Sequence, residues 1–494
     1  MKELLLLSPE IVLLLTVVGI VISEIAYFKE KFRFTTMIAL LGLSIAILNV
    51  FLTYQESATV LFSGLLSVDG LSLFFKLFSI FLAIVSVCLT VFTREIPEEK
   101  RPEYYSLFIA AALMMCFVAS ASHLIMIFIS FVALNFVGIF LVGFRQQSVE
   151  STQSATKYFF ASSVSSALFL FGSVILYSHV GTLDLYEIHK FLQENPMQPK
   201  VHGLVFFLMF FSFATNAGLF PMSLWFGDTL HGAPNPSSLV FSLGVPAAVL
   251  SSAIRTFGVL FSQKAFGFED WSVWPSLDWT AIVSLSAAIT FLMSAIVSFK
   301  QVSVKKIIAS LVMMEIGFLT LGLNVLDQVG LGALLYSIIV DLFSLAGVFC
   351  AFSFLKELVG TDSLEDIGRS RQGAGVEAFF LLVFLSSFLG MPPFPGVLSK
   401  FALIGSVMRS GSYALVIVSL FAMIVCVKTF VQLAFALFGK MTADREKNDQ
   451  IALFSVNRKS RLFLFGLTLP LFFLTAFANL VFHWTERTVR IILW

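Results

Sequence analysis

VEAFFLLVFLSSFLGMPPFPGVLSKFALIGSVM, residues 376–408, is apolar for most of its length. It is cut at its centre by Gly390-Met391-Pro392-Pro393-Phe394-Pro395-Gly396, and it carries Lys400 just beyond the cut. A helix needs roughly 20 apolar residues to cross a bilayer. Proline inside a helix deletes a backbone hydrogen bond and collides with the preceding turn. In hydrocarbon the freed groups cannot turn to water, so such a break persists only where protein or a wet cavity covers it. A lysine at that depth costs roughly 2.5–3.5 kcal/mol on the insertion scale unless it has a partner. This stretch therefore predicts a broken transmembrane helix, Lys400 included, turned toward an internal polar site.

The rest of the chain supplies the enclosure. It has 494 residues, 58% hydrophobic and 12% charged, far from the roughly one-quarter charged composition of soluble domains. So few charges cannot cover so apolar a core in water, whereas lipid tolerates a greasy exterior. Apolar runs recur at 4–27, 34–54, 68–92, 104–121, 123–143, 156–178, 203–222, 237–261, 278–299, 304–324, 331–355, 376–408, 412–437 and 461–482. Alternating short strands are absent, so the expected fold is all-α, a polytopic membrane protein of about 14 spans. The first run continues through Val21-Ile22-Ser23-Glu24 without a small-residue cleavage site and reads as a retained span.

Lysine and arginine set the expected orientation. Nineteen fall in or beside the odd-numbered loops, among them Lys29, Arg94, Arg145, Lys306, Arg371 and Lys440. The even-numbered loops hold four, Lys190, Lys200, Lys264 and Arg409. Basic loops stay cytoplasmic, so both termini are expected on the non-cytoplasmic side. A net charge of +1 gives no bulk electrostatic case for nucleic acid. The lipid bilayer is the partner that composition does imply. Cys88, Cys116, Cys350 and Cys426 lie inside apolar runs without metal or disulfide spacing and read as small buried hydrophobes.

A second break is expected where residues 203–236 carry Phe220-Pro221 and then Gly232-Ala233-Pro234-Asn235-Pro236. The two breaks fall in the seventh and twelfth spans, five helices apart, a pattern that points to paired structural repeats around an ion path. Other ionisable groups stand inside apolar runs. Glu315 lies about 15 Å along its helix from Lys305 at 1.5 Å per residue, and Asp341 lies near the middle of its span. Glu315, Asp341 and Lys400 are expected to face one internal polar cavity and, with Lys305, to mark the ion path; Lys305 and Lys306 open their span, where cytoplasmic anchoring is the plainer reading. Lys76 stands close enough to a span end to snorkel. Asp228 and His231 are expected within the first break, before the Gly-Ala-Pro, where Asp228 can cap freed backbone donors and His231 serves as a hydrogen-bond filler. No nucleophile–base pair, nucleotide loop or metal cluster is apparent in the sequence.

Taken in order, several motifs are similar to one family. They are Leu7-Ser8-Pro9-Glu10, Asp69-Gly70-Leu71-Ser72-Leu73-Phe74-Phe75-Lys76, Glu103-Tyr104-Tyr105-Ser106-Leu107, Ala155-Thr156-Lys157-Tyr158-Phe159, Gly232-Ala233-Pro234-Asn235-Pro236, Lys305-Lys306-Ile307-Ile308-Ala309-Ser310 and Gly390-Met391-Pro392-Pro393 through Lys400-Phe401. The chain resembles the antiporter-like membrane subunits of proton-pumping NADH:quinone oxidoreductase, respiratory complex I, and among them subunit N. The resemblance implies two inverted five-helix repeats, spans 4–8 and 9–13, around broken helices 7 and 12. It divides the chain into 1–103, a three-helix segment; 104–261 and 278–437, the two repeats; and 438–494, a loop and last helix. It also implies a proton path at mid-membrane and partners among the other membrane-arm subunits. NADH, flavin, iron–sulfur clusters and quinone would belong to partner subunits, with no redox centre or cofactor in this chain. A bacterial inner or cell membrane is the implied location.

The departures from the family pattern are equally specific. Where members place a fifth-span Glu, a seventh-span Lys and an eighth-span Lys, this sequence has Val132, Asn216 and Ala247. The tenth-span His falls on Glu315, and the twelfth-span Lys survives as Lys400. Val and Ala carry no proton and Asn does not titrate usefully, so the N-terminal relay is expected to be lost. The alternatives are a cation/proton antiporter component outside any redox complex, or a non-pumping structural scaffold.

Overall fold

The computed structural model describes residues 2–25, 31–53, 58–261, 279–369, 375–438 and 458–490. Lys29, Lys264, Arg371 and Lys440, used above for orientation, and most of the expected loop after 438 lie outside these residues.

The main helices are α1 Ser8–Ile25, α2 Lys31–Leu52, α3 Gly70–Phe92, α4 Arg101–Ser120, α5 Leu124–Val142, α6 Val149–Val180, α7 Pro199–Ala217, α8 Phe226–Gly232, α9 Asn235–Leu260, α10 Trp279–Lys300, α11 Val304–Val325, α12 Gln328–Val359, α13 Gly375–Phe388, α14 Gly396–Arg409, α15 Tyr413–Phe438, α16 Arg458–Ala476 and α17 Ala478–Arg490. Among the described residues twelve of these are long and apolar enough to cross a bilayer unaided, and the bent pair α16–α17 adds a thirteenth. The twelfth expected span is present as two short helices, α13 and α14, because its Gly/Pro cluster divides it. The chain is thus a multi-pass integral membrane protein.

Burial separates the spans into a core and a jacket. α9 and α11 are enclosed along the whole of their apolar windows, and α12 nearly so, whereas α1, α2, α6 and α15 bury about a third of theirs. In lipid no hydrophobic force drives helix against helix, so small and hydroxyl residues that let backbones approach are what the central helices need. Ser237, Ser238, Ser242, Ser251 and Ser252 supply this on α9.

Loop contacts establish the alternation of the chain. Loops 3, 5, 7, 9 and 11 meet on one face, where Arg145 pairs with Glu95, Lys305 reaches Ala233, and Ser303 bridges to Ser363. Loops 2, 4 and 6 meet on the other, where the hairpin Thr59–Leu61/Leu66–Val68 bridges to Ala121, and His123 bridges to Asp184. We call these the odd-loop and even-loop faces.

Each break has a local cause. At 218–222 Gly218 takes φ 78°, and an added Cβ would lie 2.6 Å from the Phe226 ring. At 389–395 Gly390 takes φ 76° against the stem of Lys400. Only glycine adopts that backbone without penalty. In α9 the helix widens to a π turn over Val240–Gly244, because Pro246 has no N–H to offer Ser242 and its ring crowds that carbonyl.

Three expectations need correction. The last run does not continue straight through 482: the chain turns by 82° between Ala476 and Ala478. α17 then lies along the even-loop face, with Thr485 donating to the Gly332 carbonyl and Trp484 against Phe74. The first break is at 218–222, so Asp228 and His231 stand on α8 beyond it and Gly232–Pro236 forms the turn into α9. Lys76 does not snorkel; it is buried and paired with Glu10 at 2.7 Å. Cys116, Cys350 and Cys426 are buried as read, and Cys88 is half-buried.

Candidate functional site

In the second half, Lys400 is the fifth residue of α14, just past the break, and its side chain is buried. Its ammonium forms an ion pair with the Glu315 carboxylate of α11, and both side chains are fully enclosed. The Phe318 and Phe388 rings lie 4.8 and 5.6 Å from the ammonium, close enough for the ring faces to attract it. Asp341 of α12, also buried, interacts electrostatically with both Glu315 and Lys400. Glu315 Oε1 and Asp341 Oδ2 accept no hydrogen bond from the chain. Three helices therefore bring two carboxyls and one ammonium together in the buried interior. A buried charge persists only when paired, and two carboxyls against one ammonium balance when they share one proton. Glu315, Asp341 and Lys400 are thus neighbours in the protein interior.

Lys305 is not part of that group. It is buried near the odd-loop face, and its ammonium donates to the Ala233 carbonyl at 2.5 Å. Around it Arg145 donates to the Gly232 carbonyl at 2.9 Å and pairs with Glu95 at 3.1 Å, and Glu95 accepts from the Asn235 N–H at 2.8 Å. Three charged side chains, two from separate loops and one from the first turn of α11, thus hold the turn between α8 and α9. His231 sits at the edge of this cluster, 3.9 Å from Glu150 and 3.8 Å from Asp362. Burial, with Lys305 next, pushes its imidazole below the usual histidine range. Asp228 caps no helix; it pairs with Lys157 of α6, with both side chains about half exposed. A groove of about 210 Å³ opens beside it between α8, α10 and α11, lined by Asp228, Gln301, Lys306, Ser310 and Met313.

The surroundings of the first break are built differently. Asn216, two residues before the first break, donates to Ser165 at 2.7 Å and accepts from Asn135 at 3.2 Å. Asn135 accepts from the Tyr158 hydroxyl at 2.7 Å, and Ser165 meets Ser212 at 3.0 Å. All five are buried. They form a connected set of neutral donors and acceptors with no ionised side chain in it. Ala247 is buried in α9, just past the π turn. Val132 is 40% exposed, on the outer stripe of α5 with Ile129 and Phe136; the α5 side chain that reaches Asn216 is Asn135. Asn135, Tyr158 and Ser165 were not singled out from sequence, because neutral polar groups carry little penalty in an apolar run. The lone amide of Asn135 inside 123–143 was the available signal.

Two further buried pairs also escaped sequence reading. Arg255 of α9 pairs with Asp69 at 2.7 Å and donates to Ser67 at 2.7 Å and to the Ala119 carbonyl at 3.2 Å. Asp69 in turn caps α3 in a reciprocal box with Ser72. This fixes the hairpin to the core at the even-loop face. The other pair is Glu10–Lys76.

With this geometry in hand, comparison with known proteins is informative. A family model described as "NADH:quinone oxidoreductase/Mrp antiporter, TM" matches residues 121–426. NADH-quinone oxidoreductase subunit N 2 of Chloroherpeton thalassium is 28% identical over 406 residues, which are 82% of this chain and 78% of the relative. F(420)H(2) dehydrogenase subunit N of Methanosarcina mazei is 29% identical over 447 residues, 85% of this chain and 86% of the relative. A chain in the structure of respiratory complex I from Thermus thermophilus with bound aureothin superposes with a TM-score of 0.75 at 22% identity, covering 96% of this chain and 98% of that one.

Proposed function

From the premise that this chain belongs to the NADH:quinone oxidoreductase/Mrp antiporter transmembrane family, we propose that it is a subunit N-like member of the membrane arm of a complex I-like enzyme, and that proton transfer through it is confined to its second half. The observation that carries this is the contrast between the two centres. Lys400, Glu315 and Asp341 can hold and exchange a proton inside the bilayer; Asn216, Asn135, Tyr158 and Ser165 form a neutral set that cannot store a charge at working pH. Intramembrane ionisable groups that share an interior mark ion pathways by default.

The chemistry is a redistribution of charge. With the Lys400 ammonium against Glu315, the ion pair forms there. Were Lys400 to turn toward Asp341, the pair would form with that carboxylate and the shared proton would pass to Glu315, with the same atoms and the same total charge. Gly390, without a side chain, lets the Lys400 stem pass close to the break. Lys305 stands between the odd-loop face and that buried group. The redox centres, and the electron donor they serve, would belong to partner subunits. The basic odd loops would be cytoplasmic, and the two repeats inverted about the membrane plane.

Affinity purification of the tagged chain from native membranes tests membership: co-migration with other membrane-arm and redox subunits is expected, and its absence refutes the reading. In the purified assembly, Lys400→Ala is expected to lower protons moved per electron while leaving subunit composition intact. An unchanged yield would leave the chain as a scaffold. The family also takes in Mrp antiporters; sodium-sensitive growth on deletion, with no redox partner captured, would favour that reading instead.

A further inference from the structure

Glu10 and Lys76 lie outside both repeats, in the three-helix segment that precedes them. Glu10 is the third residue of α1, and Lys76 is one and a half turns into α3, about 9 Å from the helix start at 1.5 Å per residue. Both helices begin at the even-loop face. A lysine at this depth can extend its four-carbon stem back to the interface and keep its charge in water. Lys76 does the opposite: it is enclosed, turned inward, and meets the Glu10 carboxylate at 2.7 Å. Glu10 is enclosed as well, although α1 is largely exposed to the surroundings and buries only Pro9, Leu13, Thr16, Ile20 and Ser23 besides. Cys116 of α4 is the third titratable group in their field.

A buried pair of this kind is a poor way to hold two helices together. Desolvating both charges offsets the attraction between them, and replacing such a pair by apolar groups is often neutral or stabilising. α1 already packs through Leu13 and Ile20. What the pair offers that leucine would not is a proton that can move with little change in net charge. Transfer from the Lys76 ammonium to the Glu10 carboxylate turns an ion pair into a neutral amine and a carboxylic acid, with the same atoms and the same total charge. Its placement, one thin helix from the surroundings and a turn or two beneath the even-loop face, is that of an exchange point with that side or with an adjoining membrane subunit.

We propose that Glu10–Lys76 is a second proton-exchanging site of this chain, separate from the Lys400 centre and serving the even-loop side. The proposal rests on the reading of the chain as part of a proton-translocating assembly, and the experiment keeps the two apart. Lys76→Arg retains the charge and the ion pair, but arginine cannot release a proton. In the purified assembly, reconstituted in liposomes, Lys76→Arg is measured beside Lys400→Arg for protons moved per electron. A normal subunit composition with a yield reduced to about half or below is expected, since a fixed charge preserves structure and blocks exchange. A full yield for Lys76→Arg beside a reduced one for Lys400→Arg overturns this proposal alone. Full yields for both overturn the transport reading itself. If Lys76→Arg does not assemble, Glu10→Gln with Lys76→Met decides. That neutral pair, assembled and deficient in yield, supports an exchange site; assembled with full yield, or unable to assemble, it reduces the pair to a structural tie and the proposal fails.

Discussion

The two broken spans each place a buried polar side chain beside the interruption and surround it in opposite ways. Beside the first break, Asn216 sits in a neutral set with Asn135, Tyr158, Ser165 and Ser212. Beside the second, Lys400 faces Glu315 with Asp341 behind it. The helix interruption is therefore kept where titratable chemistry is not. A break in a membrane helix leaves backbone groups to satisfy, and either charged or neutral polar neighbours can line the space it opens. Retention of the break reports on architecture; only the side chains beside it report on proton transfer.

Three substitutions would break or sharpen that contrast. The largest effect is expected for Glu315→Gln, which strands the Lys400 ammonium in the buried interior. Breaking a buried pair by removing one partner costs about 3–5 kcal/mol, so the variant should unfold at distinctly lower temperature in detergent and move fewer protons per electron. If yield and thermal stability both persist, the second centre is no more functional than the first. An intermediate effect is expected for Asn216→Leu. Asn135 and Ser165 lose a buried partner, at about 1–3 kcal/mol, and stability falls, but protons moved per electron should not change. A drop in yield at undiminished assembly would show that the first centre still conducts.

The smallest effect is expected for His231→Gln. The folded protein holds this imidazole below its ordinary proton affinity, so the unfolded chain binds a proton more readily. Below about pH 6.5 acid favours unfolding through this group, and well above that its contribution vanishes. His231→Gln should leave neutral-pH stability within about 0.5 kcal/mol and slightly reduce acid sensitivity, read from melting temperature against pH. A large loss at neutral pH would mean that His231 holds the Lys305 cluster together rather than standing at its edge.

Charged groups were the legible part of the site. Glu315, Asp341 and Lys400 stand out in apolar runs because ionised groups are costly there, and that cost implies a shared refuge. The neutral members of the first centre were nearly invisible, since serine and tyrosine occur throughout membrane helices and only their partners give them a role. Lys76 misled for the same reason. Its distance from the span end allowed snorkelling, and its choice of Glu10 depends on a contact between α1 and α3 that no local pattern records. Val132 illustrates the remaining gap: the motif register selected it, while the helix turns it outward and presents Asn135 to Asn216 instead.

By itself, the amino-acid sequence determined a helical membrane protein, the rough position of its spans, two interruptions and the presence of three ionisable residues needing shelter. These follow from the price of exposing backbone or charge to hydrocarbon, a local property that composition and proline placement report directly. Tertiary structure alone decided who meets whom: Lys400 with Glu315, Asn216 with Asn135, Lys305 with the turn at Ala233, and α17 folded back along the even-loop face. Partner choice depends on helix rotation and tilt, which are set by packing among helices far apart in the chain.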